Sequence, residues 1–256
     1  MRYGYWLPVF GGWLRNVDDE RMEASWEYNS RLARRSEEIG YDLTLVAELN
    51  LNDIKGAEAP SLDAWSTAAA LAAVTKKLEL MVAVRPTFHQ PALLAKQAAN
   101  IDHIGGGGRL SLNVVSSWWA DEAKKYGVHF EQHDDRYART TEWLEIVERL
   151  WQQDHFSFSG KHYSVDDAVM QPKPITRPRP VIYAGGESEA AHGSARSHGR
   201  HAPHLCGLEG DAEGDGRPDR RRRYLSSAPS ALRRDPRRSG GGEAHPLREA
   251  DVHVIG

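Results

Sequence analysis

Cysteine is almost absent. Cys206 is the only one in 256 residues, so no internal disulfide can form. Strong charge of either sign is missing as well: the formal net charge is −3 at pH 7, and nothing in it calls for nucleic acid. No stretch reaches the about 18 consecutive apolar residues of a membrane helix. The opening MRYGYWLPVF lacks the apolar core and small-residue cleavage site of a secretory signal. These absences lead to the expectation of a cytoplasmic protein with no membrane and no nucleic-acid partner. No His or Cys residues stand at metal-ligand spacing, so no metal is expected. No G-x-S-x-G or Cys/His nucleophile pattern occurs. No G-x-G-x-x-G follows the first apolar segment, which counts against a dinucleotide-binding fold.

What is present is alternation. Apolar segments at Tyr3–Val9, Tyr41–Leu49, Leu78–Pro86 and Arg109–Ser117, and one from Arg179 to Ser188, read as strands. Between them lie helical stretches: Ser25–Gly40, then Ser61–Lys77 with Ser61 as its N-cap, then Gln90–Gly108 with Pro91 in its first turn, then Arg136–Gln152. Phe156–Val165, FSFSGKHYSV, alternates about Ser-Gly and reads as a hairpin. Strands alternating with helices predict a parallel sheet covered on both faces. Such a sheet either stays open and doubly wound or closes as a (β/α)8 barrel. Polar residues collect at the strand C-termini: Glu48 and Asn50, Arg85 and Thr87, Asn113 to Ser117, Gly185 to Ser188. Both architectures bind ligands there; the pattern leans towards the barrel.

The composition changes after the fifth strand. Residues 192–256 contain twelve arginines and no lysine, few large apolar residues and no sustained period. The chain is therefore divided into a β/α barrel portion of about five β/α units, residues 1–191, and an irregular Arg/Gly-rich tail, residues 192–256. Three readings of the tail stay open: natural disorder, an anion-binding arm around Arg220–Arg223, or a shifted reading frame. The abrupt loss of lysine inside what should be a covering helix points to the last.

Several blocks carry a resemblance. AVRPTFHQPALLAKQAANIDHIGGGGRLSLNVVSSWW, HDDRYARTTEWLEIVERLW, FSFSGKHYSV and QPKPITRPRPVIYAGGES stand in the same order as similar blocks in the bacterial-luciferase-like, flavin-dependent monooxygenases. The chain most resembles the alkanesulfonate and dimethylsulfone enzymes, over roughly residues 2–191. The resemblance implies an α/β fold of the (β/α)8 TIM-barrel type, here incomplete. It implies reduced FMN supplied by a partner NAD(P)H-dependent flavin reductase, O2 as co-substrate, a small sulfonate, sulfone or related carbon substrate, and a homo-oligomer. Two alternatives stay open: an inactive truncated or frameshifted family member, and a coenzyme F420-dependent oxidoreductase of the same barrel superfamily.

The resemblance also suggests site residues. Asn113 and Ser116 would hydrogen-bond at the cofactor rim, with Trp118 and Trp119 either walling the pocket or covering the barrel top. Gly185 and Gly186, followed by Ser188, match a phosphate-binding turn that a helix N-terminus would favour; Glu187 departs from the family's Ser-Ser there. Tyr137 stands near the flavin in the family or packs in the core, and His133 is read as structural. Ser61 in PSLDAW stands where the alkanesulfonate enzymes have a cysteine, and is a catalytic candidate beside its plainer reading as a helix cap. His89 faces the cofactor or the surface. Arg85 binds an anion or pairs with Glu48.

Overall fold

A computed structural model describes residues 2–184 except Asp18, together with the strand Arg200–His201. The order is β1 (Gly4–Trp6), α1 (Trp26–Ile39), β2 (Leu43–Val46), α2 (Ala64–Val74), β3 (Glu79–Val84), a short 3-10 turn (Pro86–Phe88), α3 (Pro91–Ile104) and β4 (Leu110–Val114). There follow α4 (Ala120–Lys125), α5 (His133–Gln152), β5 (Phe156–Ser159), β6 (Ser164–Ala168), β7 (Val181–Ala184) and β8 (Arg200–His201).

Six strands pair in parallel in the order β1-β2-β3-β4-β7-β8. Spatial order follows chain order, interrupted only by the antiparallel hairpin β5–β6. A doubly wound sheet reverses its order at a switch point; this one does not, and the ambiguity left by the sequence resolves towards the barrel type. The two-residue β8 is a sixth strand that the sequence pattern did not reveal. The Gly185, Gly186 and Ser188 turn, the boundary at residue 191 and nearly all of the tail lie outside the described residues.

Local chemistry sets the helix ends. Ser25 caps α1 by accepting from Tyr28 N–H at 3.2 Å. The start expected for α2 is corrected: Asp63, not Ser61, is its cap, accepting from Ser66 N–H at 2.7 Å. Asp63 has the shorter reach to the third helical N–H, and Ser61 is drawn elsewhere. Helix α5 begins at His133, three residues before the expected start. The glycine run after α3 takes positive φ at Gly106, Gly107 and Gly108. A Cβ on Gly107 would stand 2.8 Å from Ile175 Cγ2, so the glycine admits the segment that leads into β7.

Register assigns the faces. Ala83, Asn113 and Tyr183 stand side by side, as do Leu45, Met81, Ser111 and Val181. Side chains alternate along a strand, so Leu80, Val82, Val84, Leu110, Leu112 and Val114 occupy the other face, that of helices α2 and α3. On β3 and β4 that second face is apolar and buried. The first face carries Glu79 at the start of β3, and Ser111 and Asn113 on β4. Among the described residues, no helix is long and apolar enough to cross a membrane.

Candidate active site

The strand C-termini bring together a buried ionic network. Glu48, just past β2, is 7% exposed. Its carboxylate accepts Arg85 N–H at 2.7 Å, Trp65 Nε1–H at 3.1 Å and the Nε2 of His89. Arg85, just past β3, turns its guanidinium to Glu122 on α4. Nη2 donates to Oε1 at 3.0 Å and Nη1 to Oε2, giving a two-pronged pair. Arg85 Nε lies 3.6 Å from Glu48, too long for a hydrogen bond but close in charge terms, and the guanidinium sits 4.3 Å over the Phe88 ring. Glu122 also takes N–H groups of Asn50 and Leu51, at 2.5 and 3.4 Å. Of the two readings of Arg85, the structure therefore has the pairing one: its charge is spent inside the protein.

Ser61 donates its hydroxyl to Leu49 O at 2.8 Å. It thus ties the α2 approach to the end of β2 and stands beside the network without joining it. His89 reaches the network through Glu48.

A second group lies at the end of β4. Asn113 is 7% exposed, and its Oδ1 is buried without a hydrogen-bond partner. Ser117 Oγ is in the same condition. Ser117 has φ of 44°, unusual for a residue with a side chain. Arg136 on α5 holds this backbone. Its Nε–H donates to Ser116 O at 3.2 Å and Ser117 O at 3.1 Å, and its ring-facing side rests 4.4 Å from Phe130. Ser116 is buried too, but its hydroxyl is engaged by Thr140 Oγ1 at 3.0 Å. Thus Asn113 Oδ1 and Ser117 Oγ are buried without partners, whereas the Ser116 hydroxyl is engaged.

Trp118 and Trp119 follow, half-buried, their rings stacked with centroids 5.8 Å apart and 9° between planes. Tyr137 is half-buried and lies 4.8 Å from the ring of His133, which is exposed and pairs with Asp134. Glu122, Trp65 and Thr140 were missed by sequence reasoning. No local pattern distinguishes Glu122 in WWADEAKK from a solvated helical acid; only the folding of α4 against β3 buries it.

Buried acceptors without donors are costly unless a ligand supplies the hydrogen. Together with the half-buried indoles that follow, they mark a candidate site at the strand ends of a β/α-barrel-type scaffold.

The chain belongs to the luciferase-like monooxygenase family, whose pattern it matches over residues 1–206. It is 36% identical over 196 residues to the FMNH2-dependent dimethylsulfone monooxygenase of Pseudomonas putida, covering 76% of this chain and 53% of that protein. The enzyme of the same description from Pseudomonas fluorescens is 35% identical, with 76% and 52% covered. Among solved structures, EDTA monooxygenase from Chelativorans sp. BNC1 superposes with a TM-score of 0.66 at 23% identity, covering 77% of this chain and 54% of that one. The chain spans about half the length of these relatives.

Proposed function

We propose that the chain is the oxygenase part of a two-component system. It would take reduced FMN from an NAD(P)H-dependent flavin reductase in the cytoplasm and use O2 to oxygenate a small, uncharged organosulfur compound. The observation that carries this reading is the pair of orphaned buried oxygens, Asn113 Oδ1 and Ser117 Oγ, at the end of β4. An isoalloxazine ring has an N–H donor and carbonyl acceptors along one edge, and this pair fits them. The relatives named as FMNH2-dependent dimethylsulfone monooxygenases support FMN over coenzyme F420.

Asn113 and Ser117 would hold the ring edge, with Ser116 keeping the loop in place through Thr140. Tyr137 would border the ring, and Gly185, Gly186 and Ser188 would take the phosphate. Bound reduced flavin supplies the electrons that activate O2. The chain's own residues orient it and exclude water, the latter through the stacked Trp118 and Trp119.

Charge supports a neutral substrate. Arg85 is neutralised by Glu122 and Glu48, and Arg136 is taken up by backbone carbonyls. At these strand ends, neither arginine is left to meet a sulfonate, whereas a sulfone needs no counter-charge. The division at residue 191 remains part of the proposal, and sequencing the coding DNA across that point tests it.

The activity test uses the purified full chain, a flavin reductase and an O2 electrode, with dimethylsulfone and methanesulfonate compared. Flavin titration with sulfone-dependent O2 uptake is expected. Binding of F420 in place of FMN would favour the oxidoreductase alternative. Binding of neither would favour the inactive one.

A further inference from the structure

We propose that Glu48 and His89 form a carboxylate–imidazole pair in which His89 exchanges a proton with the bound substrate and Glu48 holds the ring for that exchange. The inference rests on the reading of these strand ends as the active site.

Glu48 receives hydrogens from two groups that can only donate, the Trp65 indole and the Arg85 backbone N–H. Its oxygens are thus acceptors, and the His89 nitrogen that meets them, Nε2, must carry a hydrogen. In the neutral ring this sets the tautomer, with the lone pair on Nδ1. Nδ1 has no hydrogen-bond partner among the described residues. Burial is asymmetric: the Glu48 side chain is 5% exposed and that of His89 21%. One edge of the ring is anchored in the protein and the other is open.

The anchoring goes beyond the side chain. The His89 carbonyl accepts Trp143 Nε1–H from α5 at 3.0 Å. The Trp65 ring stands 6.1 Å from the imidazole at 64°. Within the same turn, Pro86 O accepts from the hydroxyl of Tyr163, just before β6, at 3.5 Å. A histidine serving only to fill a loop has no need of a fixed tautomer with one nitrogen kept free. The neighbouring charges also leave Glu48 available: Glu122 takes both prongs of Arg85, so two carboxylates share one guanidinium, and the second turns to His89. The groups in contact with the imidazole are the Glu48 carboxylate, just past β2, and the Trp65 ring of α2, with Arg85 and Glu122 behind Glu48.

In the step this implies, the O–H bond of a hydroxyl that oxygenation places on the substrate breaks: its proton passes to Nδ1 and its electron pair stays on the oxygen. The Nε2 hydrogen stays with Glu48, whose charge offsets the imidazolium. The Nδ1 proton then leaves to solvent from the open edge of the ring.

Two measurements on the full chain test this. First, nitrogen-15 NMR of labelled histidine in the protein without flavin, with the His89 signal identified by its loss in His89→Asn, should show the Nε2–H tautomer. A Nδ1–H form or a solvent-like mixture overturns the pair. Glu48→Gln should shift the tautomer balance; Glu48→Asp, which keeps the charge and shortens its reach to Nε2, serves where that variant fails to fold. Second, with reduced FMN, O2 and dimethylsulfone, His89→Ala should lower kcat by about 10²- to 10⁴-fold. KM and flavin affinity should hold, the pH profile should flatten, and added imidazole should restore part of the rate. Ordinary turnover in His89→Ala overturns the proton-exchange role alone. Absence of turnover in the unaltered chain, with the Nε2–H tautomer present, overturns the oxygenase reading and the proton role together while leaving the pair intact.

Discussion

Arg85 and Glu122 meet in a two-pronged ion pair with both side chains buried, at 3% and 0% exposure. The pair joins the end of β3 to α4, and it takes up a cation that the sequence left between a ligand anion and Glu48. Loss of one partner would strand the other charge in the interior. Glu122→Gln should therefore destabilise the fold by about 3–5 kcal/mol, well beyond a surface change. Urea unfolding of the two proteins checks this, and an unchanged midpoint would show that Arg85 finds water or another acceptor.

Asn113 should behave in the opposite way. Its Oδ1 is buried and unpartnered, so the polar atom costs free energy while no ligand is bound. Asn113→Leu keeps the shape and removes the orphan. Stability of the flavin-free protein should stay level or rise, by up to about 1–3 kcal/mol, while FMN affinity falls. Thermal melting paired with flavin titration reads both. A fall in stability with unchanged affinity would place the cofactor elsewhere.

The hairpin depends on a carboxylate. Glu142 on α5 accepts N–H groups of Lys161 and His162, each at 2.8 Å, and of Tyr163 at 3.1 Å. Burial pushes its carboxyl up, but these three donors outweigh burial and hold it below its usual value. A group depressed in the folded state contributes stability above its unfolded pKa and loses it as pH falls through the folded value. The hairpin amides should thus lose hydrogen-exchange protection below about pH 4, and Glu142→Gln should abolish most of that pH dependence.

Gly160 completes the same turn. A Cβ there would stand 2.4 Å from Glu142 Oε2. Gly160→Ala should displace the carboxylate and cost about 1–3 kcal/mol, the scale of hydrogen bonds to a charged group. In urea unfolding, the double variant with Glu142→Gln should lose less than the sum of the two single losses.

Arg109 is the structural counterpart of Arg85. Its guanidinium donates to Ala72 O at 2.7 Å, Thr75 Oγ1 at 2.9 Å, Leu78 O at 3.2 Å and Gly105 O at 3.1 Å. It closes the end of α2 and the turn after α3 together. Lysine has the charge without the fork, so Arg109→Lys should destabilise by about 1–3 kcal/mol in the same unfolding assay, with flavin affinity unaffected.

By itself the sequence determined the alternation of strands and helices, the hairpin about Ser159 and Gly160, the family, and the gathering of polar residues at the strand ends. These follow from local period and short blocks, which adjacent residues carry. Tertiary structure decided which polar groups are spent and which are free. Ser116 and Ser117 are equivalent as letters, yet Thr140 on α5 occupies the first hydroxyl and leaves the second open. Arg85 is neutralised by Glu122, 37 residues away, a pairing no local pattern encodes. Ser61 could cap a helix, but Leu49 O took its hydroxyl and Asp63 took the cap. The physical reason is the same each time: a hydrogen bond or ion pair is settled by which groups burial brings within about 3 Å, and that distance is a property of packed elements rather than of neighbours along the chain.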